Sequence, residues 1–173
     1  MANSQAKSHG KPDQMRIKSG LFMGAVAAAA LAFAGSAFAQ SVQVLGDYRD
    51  WSAYTASESS GRLCFAMSQP TSTEPEPDGF DEAYMYLSTR VADGVRNEFN
   101  LIAGYEFAPD STAQLEVGGQ VYDLFTQADG AWLQDATLGE NLAGNMRAGT
   151  VLTVSGTSAR GIRVVQTFSL SGV

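Results

Sequence analysis

From Val42 onward the sequence is a series of short runs of β-branched and aromatic residues, separated by glycine and polar clusters. No long stretch repeats its apolar residues with the 3.6-residue period of a helix. Short alternating runs are typical of strands with one buried face, so the pattern predicts an antiparallel all-β domain. The predicted strands are 51–55, 62–68, 82–90, 96–107, 114–117, 120–126, 150–155 and 162–170.

Two hairpins are predicted in the second half of the chain. Gly118 and Gly119 separate two alternating runs, and a two-residue glycine link supplies the positive φ angles of a tight turn. A second, longer loop over 155–161 joins the last two strands. In the last strand, Ile162, Val164, Phe168 and Leu170 fall on one side, and Arg163, Val165, Thr167 and Ser169 fall on the other. Two adjacent hairpins favour a β-sandwich.

One short helix is predicted over 138–147. Thr137 and Glu140 have the spacing of a capping box at its start. Gly139 and Gly144 each cost about 1 kcal/mol relative to alanine, so packing has to hold this helix in place. The residues that share its apolar face are Leu138, Leu142 and Met146. We expect the helix to cap the sandwich.

The first 39 residues have the order of a cleavable signal peptide. Arg16 and Lys18 precede an apolar run over 21–33, and small residues follow up to Ala39. The run is shorter than the roughly 20 residues of a membrane-spanning helix. We therefore expect cleavage after Ala39, a domain over 40–173 with no integral membrane anchor, and a periplasmic or secreted location in a Gram-negative envelope.

Loss of this leader would remove every lysine and the only histidine of the chain. Seven arginines then face seventeen acidic residues, a net charge of −10, compared with −7 for the whole chain. Such a surface repels phosphate backbones, so no nucleic-acid partner is expected. Without histidine or lysine, the Ser-His, Cys-His and Ser-Lys pairs of nucleophilic enzymes cannot form, and only paired carboxylates remain for acid-base chemistry.

Four short motifs follow one another along the domain: Asp50-Trp51 in an early strand, a strand that carries Cys64, the MRAG segment at 146–149, and TFSLSG at 167–172. In order and spacing they resemble the invasion-associated locus B family of alphaproteobacterial envelope proteins. The resemblance spans most of residues 47–172. It implies an exported immunoglobulin-like β-sandwich, associated in some members with host-cell invasion, and it offers no catalytic residues to carry over. Family members often carry paired cysteines, whereas this chain has one.

Three polar features are candidates for chemistry. Cys64, between two apolar neighbours, is interpreted as a buried structural residue, with pairing between chains as the alternative. The segment 74–82 holds five acidic residues, but it lacks the ligand spacing of a known calcium loop and is interpreted as an exposed connection. Arg160 and Arg163 could clamp an anion, although pairing with acidic residues of the same chain is the preferred interpretation. Arg147 places positive charge at the carboxyl end of the helix.

Aromatic residues recur at strand spacing, and we expect most of them in the core. They are Trp51, Tyr54, Phe65, Tyr84, Tyr86, Phe99, Tyr105, Phe107, Tyr122, Phe125 and Trp132. Tyr84 and Tyr86 share a face with Glu82, opposite Ala83, Met85 and Leu87. This face is the candidate for an exposed aromatic binding strip.

The sequence supports three functional hypotheses. The preferred one is an exported non-catalytic protein that interacts with an unknown protein or envelope component, in the envelope or at a host surface. The alternatives are a small periplasmic hydrolase with paired carboxylates, and a structural partner of another secreted protein. We expect no enzymatic activity, no catalytic residue, no cofactor and no metal site.

Overall fold

The computed structural model describes residues 42–173, which form eleven strands and one short α-helix. The strands are β1 Val42–Tyr48, β2 Trp51–Glu58, β3 Gly61–Ser68, β4 Ser72–Glu74, β5 Tyr84–Arg90, β6 Val95–Ile102, β7 Thr112–Val117, β8 Gln120–Gln127, β9 Gly130–Leu133, β10 Val151–Thr157 and β11 Arg163–Ser169. The helix α1 is Gly139–Ala148. All strand pairs are antiparallel, which confirms an all-β fold with one helix. The predicted leader and its cleavage point lie outside the described residues.

The eleven strands of this part of the chain belong to one hydrogen-bonded ladder, in the order β1-β2-β3-β5-β6-β9-β8-β7-β10-β11-β4. The ladder folds back on itself, because the start of β2 meets the end of β11. The Asp50 amide donates to the Ser171 carbonyl over 3.2 Å, and the Trp51 indole donates to the Ser169 carbonyl over 3.0 Å. The hydrogen bonds therefore do not divide the strands into the two separate sheets of the predicted immunoglobulin-like sandwich.

One hydrophobic core lies inside this folded ladder, and every strand from β5 to β11 contributes to it together with Trp51 and α1. Val164, Phe168 and Leu170 of the last strand face the core as predicted, but Ile162 is 42% exposed because it lies in the preceding loop. Gln166 is fully buried among the apolar residues. Its side-chain amide donates to the Ala103 carbonyl over 2.9 Å, which offsets part of the cost of its burial.

The predicted tight hairpin is confirmed between β7 and β8. Gly118 and Gly119 have φ angles of +58° and +76°, which residues with a side chain rarely adopt. Val117 pairs with Gln120 across the turn. Other boundaries differ from the prediction. The strand predicted over 96–107 ends at Ile102, because the chain turns at Gly104 and the Gly104 carbonyl accepts from the Asp81 amide over 2.8 Å.

The helix was predicted correctly, but its cap was not. Asp135 Oδ1 accepts from the Thr137 amide over 2.9 Å and from the Thr137 hydroxyl over 2.6 Å, so Asp135 begins a 3₁₀ turn ahead of α1. These hydrogen bonds lower the pKa of Asp135. The predicted capping box of Thr137 and Glu140 is wrong. The capping side chain is that of Asp135, two residues before Thr137, and it caps the 3₁₀ turn that precedes α1. Leu138 is 39% exposed, whereas Leu142 and Met146 are buried.

The helix packs against β6 at close range. A Cβ atom at Gly139 would lie 2.6 Å from the Asn97 carbonyl oxygen, so only glycine fits at the start of α1. Within residues 42–173 no helix has the length and apolar character needed to cross a membrane.

Candidate interaction surface

The outer face of the sheet carries a row of large side chains that crosses five neighbouring strands. Directly paired residues of antiparallel strands point to the same side. From β3 to β8, the paired positions of this row are Met67, Tyr86, Asn100, Trp132 and Phe125. The opposite side of the same strands carries buried core residues such as Met85 and Phe99.

Six aromatic side chains on this side form what we call the aromatic face: Tyr54, Phe65, Tyr84, Tyr86, Phe125 and Trp132. The Tyr54 and Phe65 rings stack with centroids 5.1 Å apart, and the Phe125 and Trp132 rings stack at 5.3 Å. Tyr86 lies 6.2 Å from both Phe65 and Tyr84. Such cross-strand pairs stabilise a sheet, so the rings are held in fixed positions.

None of these six residues is buried, and Phe125 is 45% exposed. The predicted strip of Tyr84 and Tyr86 therefore exists. The expectation that most aromatic residues lie in the core is wrong for Tyr54, Phe65, Phe125 and Trp132, and it holds for Trp51, Phe99, Tyr105, Phe107 and Tyr122. For Phe125 the two-residue period of β8 is enough to predict exposure, because the buried Tyr122 and Leu124 occupy the other face of the strand.

The polar groups of the aromatic face are neutral or paired. The Asn100 amide, with its oxygen directed at the indole, accepts from Trp132 Nε1 over 3.0 Å. The Tyr84 hydroxyl donates to the Glu82 carboxylate, and this hydrogen bond raises the pKa of Tyr84. Burial raises the pKa of Tyr86. At neutral pH both phenols are therefore protonated, and the centre of the face carries no charge.

The acidic segment over 74–82 and the two arginines Arg160 and Arg163 form separate local contacts. Arg160 pairs with Asp78 at 2.5 Å, as preferred from the sequence. Arg163 instead donates to the Ser155 hydroxyl over 3.4 Å, so the two guanidinium groups have separate partners. In the described part of the chain, no three His, Cys, Asp or Glu side chains are grouped closely enough to hold a metal ion.

Cys64 lies on the inner face of β3, opposite Thr55 of β2, with its sulfur 3.8 Å from the Thr55 hydroxyl. It is half-buried, so the predicted full burial is wrong. Strand β3 lies toward one end of the ladder, where the inner face is only partly covered. Arg147 lies in the last turn of α1, as predicted.

A family model described as invasion associated locus B (IalB) protein matches residues 51–173. The chain belongs to the IalB family. The IalB match contains every strand from β2 to β11, and so it includes the whole aromatic face, whereas β1 lies before it. No curated protein and no solved structure matches the chain. The match to the family model confirms the resemblance inferred from the short motifs.

Proposed function

We propose that this IalB-family protein is exported and acts without catalysis, by binding a protein partner through its aromatic face. The observation that carries the proposal is the set of six partly exposed aromatic side chains on neighbouring strands. Contiguous apolar patches of this kind on soluble proteins mark interaction sites. Tyrosine and tryptophan contribute a disproportionate share of the binding free energy at protein interfaces.

The charge of the domain indicates what kind of partner fits. Residues 42–173 contain no lysine, and acidic side chains outnumber arginines by ten. At the edge of the aromatic face, Glu98 pairs with Arg90 at 2.7 Å, and Glu82 accepts from the Tyr84 hydroxyl. The complementary partner surface has an apolar centre surrounded by basic side chains, since opposite charges at the rim favour association.

The arrangement of carboxylates favours binding over hydrolysis. A carboxylate-dependent hydrolase needs two carboxyl groups that face the same scissile bond. Asp78 and Glu98 are instead held by arginines, and Glu82 by a tyrosine. Histidine and lysine are absent from the domain.

Location and overall arrangement complete the proposal. The leader over residues 1–39 directs the domain to the periplasm or beyond, with envelope or host components as the available partners. The IalB resemblance implies an immunoglobulin-like arrangement of the strands.

The test is affinity capture from envelope fractions followed by direct measurement with the purified partner. Tyr86→Ser and Trp132→Ser together should weaken the affinity by at least about tenfold, because both lie in the central row of the aromatic face. Val151→Ser is the matched control, since Val151 is 49% exposed on β10, away from this face. Each variant is first compared with the wild type by circular dichroism and melting temperature.

Equal affinity of the double variant and the control would contradict the proposal. The hydrolase alternative is tested with the same preparations by replacing Glu76, Asp78, Asp81 and Glu82 one at a time. Turnover that disappears with one carboxylate, while the fold and the binding remain, would establish the alternative.

A further inference from the structure

A groove of about 400 Å³ lies between the inner side of β2 and β3 and the helix α1, and Tyr54 and Phe65 of the aromatic face also contribute to its lining. Its floor contains the small side chains of Ala53, Cys64 and Ala66, which are half-buried although they share a face with core residues. The helix α1 packs against β6, and the inner face of β2 and β3 is left partly uncovered. Leu45 of β1 and Ala143 of α1 line the sides of the groove.

The floor of the groove is divided into an apolar row and a polar row. Ala53, Ala66 and Leu87 are paired across β2, β3 and β5. In the neighbouring row, Thr55, Cys64 and Thr89 are paired across the same strands. A site with a mostly apolar lining and a few polar groups is the usual architecture for a small organic ligand.

Two further polar residues line the groove beside Thr89. The backbone amide of Asn97 donates to the Thr89 hydroxyl over 3.3 Å. Arg147 lines the groove from α1, and it forms no ion pair with another residue of the described range 42–173.

We infer that this groove binds a single-chain amphiphile with a carboxylate head, of the medium-chain fatty acid class. The alkyl chain lies over the apolar row, and the carboxylate meets the guanidinium of Arg147, a pairing that arginine favours through two parallel hydrogen bonds. The volume is at the lower end of the range for small-molecule sites, which suits one chain better than a two-chain lipid. The surrounding net charge of the domain opposes anions, so recognition of a carboxylate depends on Arg147.

Cys64 provides a direct reporter, because it is the only cysteine of the chain and lies on the floor of the groove. The purified protein is alkylated with iodoacetamide in the presence of increasing dodecanoate, below the concentration at which dodecanoate forms micelles. We expect saturable protection, with the alkylation rate reduced at least fivefold. Acetate, which has the head without the chain, and dodecyltrimethylammonium, which has the chain with the opposite charge, should not protect.

Variants separate the contributions of head and chain. Arg147→Gln should raise the dodecanoate concentration for half-protection about tenfold, while Arg163→Gln on β11, the matched control, leaves it unchanged. Ala66→Leu fills the floor and should abolish binding measured by calorimetry. Trp51, which also lines the groove, gives a second readout by fluorescence in the wild-type protein, independent of how any variant folds.

Three results would overturn the inference. The first is an alkylation rate that dodecanoate does not change. The second is equal protection by the carboxylate and the ammonium amphiphile, or no effect of Arg147→Gln, which would leave a non-specific apolar surface. The third is Cys64 that resists alkylation without any ligand, which would show that the floor of the groove is closed to small molecules.

Discussion

At the scale of single residues, Tyr105 is the titratable group within residues 42–173 whose pKa the fold changes most clearly. It is 8% exposed, and its ring lies 5.0 Å from that of Phe107 in the core. Burial raises the pKa of Tyr105 to about 12, because the charged phenolate loses its hydration inside the protein.

This pKa predicts a loss of stability at alkaline pH. In the unfolded chain a tyrosine ionises near pH 10, so between about pH 10 and 12 the unfolded state releases a proton that the folded state retains. The free energy of unfolding should therefore fall as pH rises through this window. Tyr105→Phe should flatten the dependence measured by urea unfolding, whereas Tyr48→Phe, at a tyrosine that is 53% exposed, should keep it. An identical slope in Tyr105→Phe and wild type would contradict the assignment.

Residue-level prediction succeeded where one face of a strand was clearly apolar and failed where both faces were. Tyr84 and Tyr86 were placed correctly, because Ala83 and Met85, at the alternate positions, are unambiguous core residues. Tyr54 and Phe65 were misplaced, since their strands carry apolar residues on both sides and only the register shows which side is outer. The two-residue period of β11 puts Gln166 on the core side with Val164 and Phe168. Only the fold shows the Ala103 carbonyl, 63 residues away in sequence, to which its buried side-chain amide donates.

At the scale of elements, α1 contains two glycines in opposite situations. Gly139 lies against the backbone of β6, whereas a Cβ atom at Gly144 would meet no atom within 4 Å outside the backbone of its own helix and its chain neighbours. The same substitution at these two positions tests whether close packing, and not helix propensity, fixes the helix on the sheet.

Gly139→Ala should destabilise the domain by about 1–3 kcal/mol, because the added methyl group forces α1 away from β6. Gly144→Ala should stabilise it by about 0.5–1 kcal/mol, through the higher helix propensity of alanine. Chemical unfolding of the two variants gives both values. A destabilising Gly144→Ala, or a neutral Gly139→Ala, would show that the helix is held differently.

Three strands, β1, β4 and β9, were not predicted, because their sequences lack the length or the buried face that identifies a strand. β1 contributes nothing to the core, with Val42 and Val44 57% and 62% exposed, so it lacks a buried face to reveal it. β4 has three residues, and β9 has four. By contrast, the hairpin at Gly118 and the helix over α1 depend on local chemistry, and both were found.

At the scale of the whole molecule, the fold class followed from the sequence, but the closure of the ladder did not, because it depends on pairing between distant segments.

The leader is the whole-molecule feature that remains a prediction. Protein recovered from the envelope should begin at Gln40 by amino-terminal sequencing, since the small residue Ala39 fits the cleavage site. Ala39→Leu should retain the leader. An intact leader in wild-type protein from the inner membrane would indicate an anchor.

The contact between the start of β2 and the end of β11 determines when folding can finish. Trp51 is synthesised 118 residues before Ser169, whose carbonyl accepts its indole hydrogen. Synthesis makes the amino-terminal side first, so the Trp51 indole has no acceptor in β11 until the carboxyl-terminal part of the chain has been made. A truncated chain that lacks Ser169 and Ser171 cannot form these two hydrogen bonds. We expect limited proteolysis to cleave such a chain faster than the full-length protein, because the contact that closes the ladder is missing.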